Sequence, residues 1–91
     1  MLYLIAYDVP EDARRTKLAL VLKDFGVRVQ FSVFEARMDE ETRIRMLARI
    51  AETIEVADDH VRVYRLCGGC EEAITILGSG EVTEDPDVYV V

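Results

Sequence analysis

Leu2-Tyr3-Leu4-Ile5-Ala6-Tyr7-Asp8 is an apolar run of strand length that ends on a carboxylate. The next residues predict a helix: Pro10 fits a first helical turn, and Glu11 and Asp12 suit the positive end of a helix dipole. Leu18, Val21, Leu22 and Phe25 then recur at i, i+3, i+4 and i+7, the stripe of a helix with one buried face, and Gly26 ends it. A strand running into a helix in this way sets Asp8 on the same side of the fold as Arg14, Arg15 and Lys17 in the opening of the helix.

Arg28 to Met38 reads as a second strand, alternating Val29, Phe31 and Val33 with Arg28, Gln30 and Ser32; it carries no turn signal and is kept whole. Asp39 is the expected N-cap of a second helix whose inner stripe is Leu47, Ile50, Ala51 and Ile54. Residues 60–67 read as a third strand, 73–77 as a fourth, and 87–91 as a short terminal strand. The expected class is α+β: a ferredoxin-like sandwich, an antiparallel sheet with two helices on one face, plus the short C-terminal strand. Residues 1–80 form the expected domain, and residues 81–91 an acidic extension.

Ninety-one residues leave room for one core, and a chain of this size buries only roughly 60–65% of its unfolded surface. Hydrophobic content of 51% is high for so small a monomer, and a dimer is the ordinary way to cover the excess. No run reaches the ~18 apolar residues of a membrane span. With no basic leader, the cytoplasm is the expected compartment. The net charge of −7 argues against phosphate binding, but its distribution removes the objection. All eleven Lys and Arg lie between Arg14 and Arg65, whereas six acids come after them with no base among them, so a basic face on the body is compatible with an acidic tail.

Asp8, at the mouth of a rigid strand, can bind a hard cation or cap the helix after it. Magnesium takes about six oxygen ligands, so one carboxylate per chain is few, and a two-fold dimer would double the supply. Arg15, Lys17 and Arg28 suit phosphate oxygens, or else pair with Glu11, Asp12 and Asp24 on the surface; Ser32 can donate to phosphate or water. Cys67-Gly68-Gly69-Cys70 is a single C-x-x-C, open to structural thiols, a local disulfide, or a metal shared across a dimer. A metal-carrier domain of this fold would be expected to put its C-x-x-C in the first β-α loop, which here holds Asp8 and Pro10.

Tyr7-Asp8-Val9-Pro10, the charged stretch Glu11 to Lys17, and Gly26-Val27-Arg28-Val29-Gln30-Phe31-Ser32-Val33-Phe34-Glu35 together resemble the CRISPR-associated protein 2 family. The resemblance implies a ferredoxin-like homodimer whose C-terminal strand completes the partner's sheet. It implies two activities: metal-dependent endonuclease action on single-stranded RNA or double-stranded DNA, with magnesium or manganese as cofactor, and a non-catalytic, DNA-binding role bridging CRISPR integrase subunits during spacer acquisition. By position it makes Asp8 the catalytic and metal-binding residue and puts Arg15, Arg28 and Phe34 on recurrent basic and aromatic positions. Lys17 stands where arginine is sometimes found. Arg14, Arg15, Lys17 and Arg28 become the expected nucleic-acid contacts, supported by Ser32 and Phe34. Cys67 and Cys70 fall outside the pattern.

Overall fold

A computed structural model of the chain describes residues 1–83. Its elements run β1 (Leu2–Asp8), α1 (Asp12–Lys23), β2 (Val27–Gln30), β3 (Val33–Arg37), α2 (Glu40–Thr53), β4 (His60–Leu66) and α3 (Gly68–Glu72). The strands form one sheet in the order β2-β3-β1-β4, every neighbouring pair antiparallel. With α1 and α2 this is the split βαβ arrangement of a ferredoxin-like α+β sandwich.

The apolar run of β1 takes the centre of the sheet, where both edges of its backbone find partners. Tyr3, Ile5 and Tyr7 alternate onto the helix side and meet Leu18 and Leu22 of α1, Met46 and Ile50 of α2, and Phe34 and Ala36 of β3 in one core. In α1 the buried residues are Leu18, Ala19, Val21 and Leu22, with Phe25 partly buried behind them. The Glu11 side chain accepts from the Arg14 N–H and caps the helix. Asp39 caps α2 by accepting from the Thr42 N–H at 2.8 Å. The inner stripe of α2 is turned from the expected one. Met46, Ile50 and Thr53 are buried, Leu47 and Ile54 are partly buried, and Ala51 is exposed.

Three further expectations are corrected. The long strand from Arg28 to Met38 is a hairpin: β2 and β3 are joined by a turn at Phe31 and Ser32, and the ladder slips by a bulge between Arg28 and Gln30. No glycine, proline or asparagine marks the turn. It is held by Tyr7, whose N–H donates to the Ser32 carbonyl at 3.0 Å and whose hydroxyl donates to the Phe31 carbonyl at 3.2 Å. Residues 73–77 are not a strand. β4 leads instead into α3, and the chain then returns to the sheet, where the Arg37 guanidinium donates to the Thr83 carbonyl and the Thr83 hydroxyl donates to Glu35 at 2.9 Å. Gly26 comes after α1 without a positive φ; its role is close approach, since a Cβ there would lie 2.2 Å from the Glu35 carbonyl oxygen. The terminal strand expected at 87–91 lies outside the described residues.

Candidate nucleic-acid interface and metal centre

Asp8 is the last residue of β1 and is exposed. Strand alternation puts it on the face opposite Tyr7, directly across the ladder from His60, the first residue of β4. Among the described residues no hydrogen bond or ion pair engages its carboxylate, and it caps no helix, because Glu11 fills that position. Its donor set within one chain is small. No group of three or more His, Cys, Asp or Glu gathers among the described residues, so one carboxylate and a facing imidazole fall short of the roughly six oxygens magnesium takes. A second copy of Asp8 together with water and phosphate oxygens would complete the shell.

Beside this strand end, on the helix side of the hairpin turn, is an open cavity of about 340 Å³. Tyr7, Arg15, Lys23, Arg28, Phe31 and Ser32 contribute to its wall. The fold thus brings together three of the expected residues, Arg15, Arg28 and Ser32, and Asp8 stands next to Tyr7 in the chain but does not line the cavity. Arg15 is anchored: it donates to the Val9 and Pro10 carbonyls at 3.0 and 3.3 Å and pairs with Asp12. Arg28 lies with its guanidinium 5.3 Å from the centre of the Phe34 ring. Phe34 is fully buried, so it supports Arg28 from beneath rather than meeting a ligand. Lys17 is exposed on α1 outside the cavity. Among the described residues Lys17, Lys23 and Arg28 have no carboxylate partner.

Arg14 is differently placed. Its guanidinium grips the buried Asp59 carboxylate through Nε at 2.8 Å and a terminal nitrogen at 3.0 Å, and the Glu55 N–H adds a third bond at 2.8 Å. The Arg14 bond, assisted by the Glu55 N–H, holds the Asp59 carboxyl below the usual carboxylate range against the opposing effect of burial. Arg14 therefore ties the start of α1 to the loop before β4.

Two cavity residues escape a reading of the sequence alone. Lys23 looks like any cation at a helix end. Phe31 looks like a core residue by alternation, yet it is 94% exposed at the turn. A hairpin at residues 31–32 is the signal that would have found it.

A family model described as "CRISPR associated protein Cas2" matches residues 1–74. The chain is 40% identical over 90 residues to the "CRISPR-associated endonuclease Cas2 2" of Thermus thermophilus, covering 99% of this chain and 96% of that protein. It is 38% identical to the "CRISPR-associated endoribonuclease Cas2 1" of Chloroflexus aurantiacus over the full length of both. A crystal structure of a hypothetical protein from Thermus thermophilus superposes with a TM-score of 0.79 at 40% identity, covering 91% of this chain and 96% of the other. A chain of a partial Cas6-RT-Cas1–Cas2 complex superposes at 0.75 with 30% identity, covering 93% of each.

Proposed function

Since the chain belongs to the CRISPR associated protein Cas2 family, we propose that it is a metal-dependent phosphodiester endonuclease of CRISPR defence, acting as a cytoplasmic homodimer on RNA or DNA during spacer acquisition. The observation that carries this reading is the exposed Asp8 carboxylate, without a hydrogen-bond or ion-pair partner among the described residues, at the end of the strand whose Tyr7 lines a cationic cavity on the other face of the sheet. Asp8 of each protomer would hold a shared divalent ion, magnesium or manganese. Such an ion, when bound, supplies charge neutralisation at the phosphodiester and an activated water.

The remaining work belongs to the chain's own side chains. Arg28, Lys17 and Lys23 meet phosphate oxygens, with Arg15 set by its carbonyl contacts to face the same cavity. Ser32 donates to phosphate or water. Tyr7 fixes the turn that carries Ser32 and Phe31. Phe31 offers an uncovered ring on which a base can stack, which favours an unpaired strand. Arg14, bound to Asp59, acts through the fold. Exposed apolar groups at Val27, Tyr64, Ile76 and Leu77 support burial against a second copy. Residues 1–80 serve as the folded body and 81–91 as its acidic extension. None of the described helices is long and apolar enough to cross a membrane.

The test is cleavage of labelled single-stranded RNA and double-stranded DNA by wild type and Asp8→Ala, with magnesium, manganese or EDTA and a binding assay alongside. Cleavage that needs the metal and falls to background in the variant, while binding persists, supports the enzyme. A second reading is a non-catalytic DNA scaffold bridging integrase subunits. It is favoured by the likeness to a chain of a Cas1–Cas2 complex and by the small donor set at Asp8. Absence of metal-dependent cutting, with DNA capture unchanged in Asp8→Ala, selects it.

A further inference from the structure

The C-x-x-C motif takes no part in the chemistry at Asp8. Cys67 and Cys70 bracket the first turn of α3, where the chain leaves β4, and both are exposed free thiols. Their Sγ atoms lie 3.4 Å apart. Buried packing does not account for two exposed side chains. A tetrahedral metal held within one chain does not account for them either, since a closed thiolate site takes four ligands and no further His, Cys, Asp or Glu completes a group of three among the described residues. The two residues between them are glycines, and a Cβ added at either would meet nothing within 4 Å, so the sulfurs are open to a reagent from that side.

We propose that Cys67 and Cys70 form a thiol–disulfide exchange site that reacts with low-molecular-weight disulfides and ends as an intramolecular Cys67–Cys70 bond. The Cys67 thiolate attacks one sulfur of the reagent, whose S–S bond breaks and whose other half leaves as a thiolate that takes up a proton. Cys70 then loses its proton and attacks Cys67 Sγ, releasing the second half. Two protein thiols are oxidised by two electrons, and one reagent disulfide is reduced to two thiols. The surroundings set the order of attack. The Cys70 N–H, and then its thiol, draw Cys67 below the usual thiol range, whereas its hydrogen bond to Cys67 pushes Cys70 up. The new bond would fasten the turn that carries Glu71, whose carboxylate pairs with Arg37 on β3.

The experiment uses the full chain with oxidised glutathione as the probe, then denaturation, alkylation and intact mass, and needs neither metal nor nucleic acid. Wild type should lose two hydrogens and take up no alkylating reagent. Cys70→Ser should accumulate one glutathionyl group on Cys67, and Cys67→Ser, which lacks the thiol that the Cys70 N–H draws down, should react more slowly than Cys70→Ser. A wild type that retains glutathionyl groups, a bond between chains on a non-reducing gel, or equal rates for the two serine variants would overturn the proposal.

Discussion

Replacing Gly26 by alanine should unfold the protein at a markedly lower temperature, because β3 runs against the backbone at that point. The added Cβ would sit 2.2 Å from the Glu35 carbonyl oxygen and 2.7 Å from the Ala36 Cβ, and 3.0 Å is a distance that real Cβ atoms essentially never go below. Relief requires nearly 1 Å of movement (3.0 − 2.2 = 0.8 Å), and the first atom met is backbone in a hydrogen-bonded strand. Overpacking of this kind costs about 1–3 kcal/mol, and a backbone clash belongs at the upper end. Reduced freedom of the unfolded chain returns about 0.4–1 kcal/mol. The net loss is about 2 kcal/mol, which for a domain of this length lowers Tm by roughly 8–16 °C. Thermal unfolding monitored by circular dichroism measures it, with Gly68→Ala as the control, because a Cβ there meets nothing within 4 Å. A Gly26→Ala protein that melts with wild type, or above it, refutes the argument and means that β2 and β3 can shift freely relative to α1.

Other consequences are separately measurable. Asp59 titrates below its ordinary value in the fold, so the unfolded chain binds more protons in acid; its stabilising contribution should be full above about pH 4 and fade as pH falls further. Asp59→Asn should flatten that acid limb in urea melts taken across pH. Phe31→Ala should leave stability within about 0.5 kcal/mol of wild type. It should also weaken single-stranded RNA binding by about fivefold or more without changing duplex affinity, as read by fluorescence anisotropy. Tyr7→Phe removes the bond to the Phe31 carbonyl and should cost about 1 kcal/mol, with faster amide exchange at the turn.

The parts of the fold that are plain in the sequence are those with a local cause. β1, α1, α2 and β4 each carry their own period or cap, and the Asp39 cap rests on Thr42, three residues on. The β2–β3 turn is hidden because its stabilising partner is Tyr7, which is 24 residues away from Phe31. Without that partner in view, alternation alone turns Phe31 inward and merges two strands. The Gly68-Gly69 pair disguised α3, since glycine disfavours helix, and residues 73–77 looked like a strand because an apolar run does not reveal whether a ladder partner exists. At the candidate site, Asp8 was legible from its place at a strand end. The bond between Arg14 and Asp59 spans 45 residues, so nothing near Arg14 in the sequence tells it apart from Arg15.

The central position of β1 has a consequence for how the protein comes into being. As the chain leaves the ribosome, β1 emerges before its partners, which begin only at Val33 and His60. Asp8 is registered against His60, so the strand end that bears it stays half-paired until β4 has been made. Nascent or truncated copies that stop short of β4 would carry the carboxylate without its frame. Synthesis as far as β4 is thereby built in as a condition for framing Asp8.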